Sequence, residues 1–319
     1  MLDSLRTREG ETIIPARLKP QSAARAAPRA KAGSSLAARR VLIATACLLF
    51  AAATAVGELF VSCPDSVPAG EPFLVEIASD APMESLSVTW LGRTLRPECR
   101  REEGQSRASV LLGMGLEDRL EGERHVLEVQ AGGFPGEVRE RRIHRVPKDY
   151  PVQHLVVEER YSKVSAADEA RSERENAELR AAMARISPER RWRLPMARPV
   201  PGEPSSAFGL RRFFNGEAKR SHAGLDLRAA AGDSVLACEA GRVILVGDHF
   251  FAGRCVCVDH GQGVVSLYFH LSAVEVAVGQ ELRRGELIGK AGATGRVTGP
   301  HLHWGVSILG QYVDPLLLL

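Results

Sequence analysis

The sequence predicts a mainly β protein in which a small immunoglobulin-like β-sandwich and a linker helix precede a C-terminal antiparallel β-sheet domain. Three observations predict this class. Short runs of alternating apolar and polar residues, separated by turn residues, fill both 59–146 and 197–319, and the stretch between them changes to helical spacing. Apolar residues make up 45% of the 319 residues, which is ample for buried cores.

The first segment, residues 1–40, is a basic tail rich in Arg, Ala, Ser and Pro, and we expect it to be disordered and cytoplasmic. It holds nine Lys and Arg against three Asp and Glu, whereas the net charge of the whole chain is only +3. Because the basic surplus lies in a tail rather than on a folded face, we expect no nucleic-acid partner.

Residues 41–57, "VLIATACLLFAAATAVG", contain no charge and predict a transmembrane anchor. As a helix they would span about 25 Å, slightly less than a hydrocarbon core of about 30 Å, and snorkelling of Arg39 and Arg40 compensates for the difference. A buried core helix and a cleaved leader ending near "ATA" at 53–55 are the alternatives. We favour an uncleaved single-pass anchor in the cytoplasmic membrane, with the C-terminal domains facing the periplasm or cell exterior.

Residues 59–146 predict the sandwich, because runs such as "FLVEIAS", "SLSVTWL" and "RHVLEVQ" alternate in polarity between the turn segments "SVPAGEP" and "AGGFPGE". No polar residues converge here by spacing. We therefore expect at most a surface for a protein partner in this domain.

Residues 147–196 predict a helical linker. Within them, 165–186 place Ala, Leu and Met three to four positions apart among charges, and Ser165 with Asp168 forms an S-x-x-D start. Pro188 and the Pro-rich stretch that follows end the helix. A charged helix of this kind is usually a solvated spacer or brace, although it could also contact a protein partner.

Residues 197–319 return to short strands between glycine-rich turns, without a convincing helix. Five cysteines follow the predicted anchor, so at most two internal disulfides can form in an exported chain. Cys255 and Cys257 share one face of a strand, and one of them could pair with Cys238 across a hairpin. The alternative is that both are small buried residues.

Six of the nine histidines lie in the last hundred residues, which suggests a metal site. A catalytic zinc needs three protein ligands and one open position. His301 and His303 share a face of an extended segment, so both could contact one ion, or one could bind it while the other transfers protons. His222 and Asp226 would lie about 13 Å apart on a straight strand, so the chain must bend at Gly224 to bring them together.

Three ordered motifs resemble the lysostaphin-type zinc endopeptidases of bacterial cell walls. They are "FGLRRFFNGEAKRSHAGLDLRAAAGDSVLACEAGRV", "GVVSLYFHLS" and "GELIGKAGATGRVTGPHLHWGV", followed by "VDP". The resemblance covers residues 200–316. It implies an antiparallel sheet with a groove across it, and peptide bonds of peptidoglycan as substrate.

The resemblance also implies residue roles. By that resemblance His222, Asp226 and His303 bind one Zn²⁺, while His270 and His301 flank the open position. We take His301 as the candidate general base, and His270 as the residue that stabilises the oxyanion or assists proton transfer.

One alternative to a catalytic role accompanies this interpretation. A non-catalytic relative of the same fold could bind the wall or activate another hydrolase, but such relatives lack zinc ligands, and all five site residues are present here.

His249 and His260 are interpreted as structural. The family often has an acidic residue where this chain has Gly305, which puts a contact to a ligand or substrate in doubt.

Overall fold

The computed structural model describes residues 58–116, 124–132, 138–156 and 164–319. The basic tail predicted at 1–40 and the anchor predicted at 41–57 lie outside these residues. Within the described part of the chain, no helix combines the length and the apolar character that a membrane crossing requires.

Residues 59–146 form two β-sheets that share one apolar core. In the described residues one sheet has the strand order β1-β3-β7-β6 and is antiparallel, and the other has the order β2-β9-β8-β4-β5 with β2 parallel to β9. The strands are β1 (Leu59–Ser62), β2 (Ser66–Pro68), β3 (Pro72–Ser79), β4 (Ser85–Trp90), β5 (Arg93–Leu95), β6 (Arg100–Glu102), β7 (Gln105–Gly113), β8 (Arg124–Gly132) and β9 (Val138–Val146).

Alternation of polarity explains these strands. In β3 and β4 the side chains of Val75, Ile77 and Val88 are buried while their neighbours in sequence are more exposed, as expected for a sheet with one face in a core. Trp90 is fully buried, and its indole Nε1 donates to the carbonyl of Gly113 at 3.0 Å. The expected mainly β class is confirmed, whereas the immunoglobulin-like assignment stays a prediction.

The segment between the sandwich and the C-terminal sheet contains a strand and a helix. Strand β10 (Val152–Leu155) pairs in parallel with β12 (Arg211–Phe214), so the linker is not only helical. Helix α1 (Ala166–Met183) begins where the sequence predicts, because Ser165 Oγ accepts a hydrogen bond from the backbone amide of Asp168 at 3.1 Å.

Helix α1 is more than a solvent-exposed spacer. One side of its C-terminal half packs on an apolar face of the C-terminal sheet, which would otherwise be exposed to water. The contacting residues are Leu179, Ala182 and Met183 of the helix and Cys257, Val265 and Leu267 of the sheet.

Residues from Pro204 to Val313 form a large antiparallel sheet with the central order β11-β14-β21-β18-β17-β16-β19, in which β20 and β22 pair with β18 and β21. The strands are β11 (Pro204–Ser206), β13 (Glu217–Ala218), β14 (Leu225–Leu227), β15 (Ser234–Leu236), β16 (Gly241–His249), β17 (Gly253–Asp259), β18 (Val264–Val274), β19 (Glu281–Leu282), β20 (Leu287–Ala291), β21 (Leu302–Ile308) and β22 (Gln311–Val313). Strand β13 pairs with β12 outside this sheet, and a 3-10 helix (Pro315–Leu318) follows β22.

The two faces of β18 have different neighbours. Val264 and Tyr268 belong to the main core, whereas Val265 and Leu267 face helix α1. Phe269 follows on the same face as Leu267 and lies opposite His303 in the register with β21. The face that carries His303 is therefore the face that α1 partly covers.

The cysteines of the described residues are all free thiols. Cys238, Cys255 and Cys257 are fully buried, which matches the alternative of small buried residues rather than a disulfide across the hairpin. Cys47 lies outside the described part of the chain.

Candidate metal centre and active site

Two of the predicted ligands face each other across paired strands. Strand β14 is antiparallel to β21, with Asp226 opposite His303 and the apolar Leu225 and Leu227 on either side of Asp226 buried in the core. Alternate residues of a strand point to opposite faces, so burial of the leucines on one face directs Asp226 to the other.

His222 reaches the same point because the chain bends before β14. Its backbone amide donates to the carbonyl of Leu210 at 3.0 Å, and its carbonyl accepts from Gly209 at 2.8 Å. A Cβ atom on Gly224 would lie 2.6 Å from Nε2 of His303 and 2.8 Å from the carbonyl oxygen of Trp304. Only glycine fits there, which agrees with the bend expected at this residue.

The three side chains present one ligand atom each to a common point. Nε2 of His222 lies 2.9 Å from Oδ1 of Asp226 and 3.0 Å from Nδ1 of His303, and this Nδ1 lies 2.9 Å from the same Oδ1. Ligand atoms held at about 2.0 Å by a tetrahedral zinc lie roughly 3.3 Å apart, so an outward movement of a few tenths of an ångström admits the ion. These residues form a possible metal site.

The protonation of His222 supports a cation at this point. Its Nδ1 lies 2.8 Å from the carbonyl oxygen of Ala207, which can only accept, so Nδ1 carries the proton. In the neutral ring Nε2 then presents a lone pair to the Asp226 carboxylate. The Nε2 lone pair and the Asp226 carboxylate oxygen repel each other at this distance unless a cation lies between them. The three side chains therefore fit the ligand set of a metal ion.

His301 and His270 lie beside these ligands. His301 forms an isolated bridge with Gly292, and its Nε2 lies 3.7 Å from Oδ1 of Asp226. His270 has φ of 64°, and its ring centroid lies 4.9 Å from that of His301 and 6.0 Å from that of His303.

Both flanking histidines bind a backbone carbonyl through Nδ1, which leaves Nε2 for other contacts. Nδ1 of His301 donates to the carbonyl of Gly299 at 2.9 Å, and Nδ1 of His270 donates to the carbonyl of Thr294 at 3.0 Å. In a neutral ring each Nε2 is then an acceptor, as a group that takes a proton from water must be.

Burial and mutual contacts shift the pKa values of three groups in the cluster. Burial raises the pKa of the Asp226 carboxyl, but the contacts from His222 and His303 outweigh burial and hold this pKa well below its usual range. Burial, together with neighbouring imidazoles, lowers the pKa of His303, and it lowers the pKa of His270 to about 3. At neutral pH the carboxylate is ionised and both rings are neutral.

The structure therefore brings all five predicted site residues together. His249 and His260 lie elsewhere: Nε2 of His249 is 3.2 Å from Glu178 of helix α1, and His260 hydrogen-bonds the buried Ser266 hydroxyl at 2.7 Å.

Sequence reasoning missed the groups that orient the histidines. The ring of Phe269 stacks on His303 with centroids 5.2 Å apart and an interplanar angle of 9°. The carbonyl oxygens that fix the other three rings belong to Ala207, Gly299 and Thr294. A backbone carbonyl has no sequence signature, whereas the position of Phe269 directly before His270 could have indicated a ring near the site.

Comparison with known proteins agrees with this geometry. The profile of peptidase family M23 matches residues 220–315. A crystal structure from Pseudomonas aeruginosa described as an M23 peptidase is 34% identical, with a TM-score of 0.59 over 77% of this chain and 92% of that chain. This chain belongs to peptidase family M23.

Curated relatives match less than half of this chain. The DD-carboxypeptidase/endopeptidase Mpg of Neisseria meningitidis is 43% identical over 112 residues, covering 35% of this chain and 26% of Mpg. The peptidoglycan DD-endopeptidase ShyA of Vibrio cholerae is 34% identical over 139 residues, covering 43% of this chain and 30% of ShyA. The chain thus spans less than a third of the length of these relatives.

Proposed function

We propose that this chain is a zinc-dependent endopeptidase that hydrolyses peptide bonds in peptidoglycan. One observation carries the proposal: three ligand atoms lie within 3.0 Å of one another, and two further histidines lie beside them with Nδ1 bound to backbone carbonyls. The names of the curated relatives, which include peptidoglycan DD-endopeptidases, support the substrate class.

His222, Asp226 and His303 would hold the zinc. A zinc ion there supplies a Lewis acid that polarises the scissile carbonyl and lowers the pKa of the attacking water. Asp226 serves a second purpose, because its ionised carboxylate offsets part of the charge of the ion.

His301 is the proposed general base. Its Nδ1–H is fixed on the carbonyl of Gly299, so in the neutral ring Nε2 carries a lone pair and can take a proton from water without a turn of the ring. The same nitrogen then donates that proton to the nitrogen of the scissile bond, so the leaving group departs as a neutral amine rather than as an amide anion.

The geometry of His270 favours one of the two roles expected for it. A ring whose Nδ1–H is bound to Thr294 has no second N–H to donate to an oxyanion while it is neutral. We therefore assign His270 to accepting a hydrogen bond from the attacking water, which orients the water and assists proton transfer.

We also propose that residues 41–57 anchor the chain in the cytoplasmic membrane and that its folded domains act outside it. Seventeen uncharged residues preceded by Arg39 and Arg40 support this placement. Recovery of the intact chain in the membrane fraction, with the folded domains accessible to protease from the outer side, is the expected result. Recovery only in a soluble fraction would contradict it.

Zinc content and activity on purified sacculi test the main proposal. We expect about one zinc per chain and release of soluble peptides, which stops after chelation and returns when zinc is added. Mass spectrometry of the released fragments identifies the bond that is cut. A zinc-loaded protein that binds sacculi without releasing fragments would contradict the enzyme and favour a non-catalytic wall-binding protein.

A further inference from the structure

A cavity of about 370 Å³ lies beside His301, and none of the roles assigned above uses it. Ser205, Arg228, Asp233 and Pro300 line this cavity together with His301. His301 borders both the proposed zinc ligands and this cavity, so the cavity is within reach of a peptide placed for cleavage.

The strand register places Arg228 next to His301. Arg228 follows Asp226 by two positions, and its backbone amide donates to the carbonyl of Glu203 at 3.0 Å, which continues the pairing of β14 with β11. Its side chain therefore lies on the same face of the chain as the Asp226 carboxylate. Asp226 is opposite His303 and the next residue is opposite Leu302, so Arg228 is opposite His301 one step further along this register.

The guanidinium of Arg228 has no protein partner among the described residues. Its side chain is exposed, and it makes no ion pair or side-chain hydrogen bond within 58–116, 124–132, 138–156 and 164–319. The acidic group in the same cavity, Asp233, accepts the backbone amide of Ala230 at 2.7 Å. The guanidinium of Arg228 is thus available to a ligand in the cavity, and the planar arrangement of its five N–H donors matches a carboxylate.

The chemistry of His301 indicates which part of the substrate enters the cavity. The group that protonates the leaving amine must lie close to that amine, so the space beyond His301 receives the residue on the amine side of the cleaved bond. We propose that Arg228 binds a free carboxylate on this amine-side residue, and so selects peptides that carry the carboxylate over peptides in which it is amidated or missing. This inference rests on the proposed peptidase function.

Binding to metal-free protein tests the inference without turnover. A carboxylate can also bind zinc, so chelated protein isolates the contribution of Arg228. The probes are two synthetic peptides with the sequence of the amine-side product, one with the free carboxylate and one with a primary amide. We expect wild type to bind the acid about tenfold more tightly than the amide by calorimetry, and Arg228→Met to bind both alike.

Turnover supplies the second measurement, made on zinc-loaded protein with crosslinked dimers that differ only in the same group. Arg228→Met should lower kcat/KM for the acid dimer about 10- to 100-fold and change that for the amidated dimer less than about threefold. Arg228→Lys should keep part of the preference. Arg283→Met, which removes the same charge from an exposed turn between β19 and β20, is the matched control and should behave as wild type.

The outcomes separate the two proposals. Equal binding of acid and amide by wild type, or a preference that survives in Arg228→Met, overturns the role of Arg228 even if both dimers are cleaved. A binding preference that depends on Arg228, in a zinc-loaded protein that cleaves neither dimer, supports the carboxylate site and contradicts the proposed peptidase.

Discussion

At the scale of single residues, the structure separates the roles of two histidines that the sequence leaves equivalent. His303 lies opposite Asp226 and brings Nδ1 to 2.9 Å from its Oδ1, whereas the nearest nitrogen of His301 is 3.7 Å away. The H-x-H spacing predicts a shared face correctly, but it cannot say which ring binds a metal. That depends on the register with β14, whose residues are nearly eighty positions earlier in the chain.

This difference predicts that two alanine substitutions affect zinc binding differently. His303→Ala removes one of the three proposed ligands, so zinc binding and activity should both be lost. His301→Ala leaves the ligands in place, so the protein should retain zinc and lose about 10²- to 10⁴-fold in kcat. Zinc content by mass spectrometry and kcat on a crosslinked peptide measure the two effects. His144→Ala, an exposed change in the sandwich, is the control, and full activity in both site variants would refute the assigned roles.

Two buried glycines near the site give a second prediction. A Cβ at Gly224 would meet the ring of His303 at 2.6 Å and the fixed carbonyl of Trp304 at 2.8 Å, whereas a Cβ at Gly305 would meet Leu267 at an ordinary 3.4 Å. Gly224→Ala should therefore displace His303 and weaken zinc binding by about tenfold or more. Gly305→Ala should bind zinc like wild type. Equal zinc affinity of the two variants in a chelator competition would contradict the steric argument.

At the scale of elements, helix α1 was predictable because its signals are local. Ser165 caps it, and its apolar residues recur at helical spacing. Strand β10 was missed for the converse reason. Its four residues become a strand by pairing with β12, almost sixty positions later, and no local pattern reveals that partner.

The packing of α1 on the sheet makes the helix a structural part of the C-terminal domain. Leu179 is buried against the sheet face that carries Leu267, so Leu179→Ala should reduce the free energy of unfolding by about 2–3 kcal/mol. Glu173→Ala, on the exposed side of the same helix, should change it by less than about 0.5 kcal/mol. Denaturant titration measures both variants, and a similar small change in each would mean that α1 rests only loosely on the sheet.

At the scale of the whole folded part, the sandwich and the C-terminal sheet share one core. Leu112 and Met114 of the sandwich belong to the same apolar cluster as Ile308 and Val313. A hydrogen bond of 2.7 Å from the amide of Asp314 to the carbonyl of Gly70 joins their backbones. The sequence predicted the two β regions from their separate patterns, but a pattern of alternation cannot show which buried faces meet.

This shared core predicts that the C-terminal domain depends on its neighbours. Chain 58–319 should unfold in one cooperative calorimetric transition, because the sandwich and the C-terminal sheet bury their apolar residues in one shared core. Chain 197–319 lacks both the sandwich and helix α1, so the apolar faces around Val313 and Leu267 become exposed to water. This exposure should reduce the free energy of unfolding by a few kcal/mol. We therefore expect the short chain to melt at least 10 °C lower or to aggregate. If the short chain instead melts at the temperature of the long one and keeps its activity, the C-terminal sheet folds on its own, and the sandwich is then free to move relative to the groove.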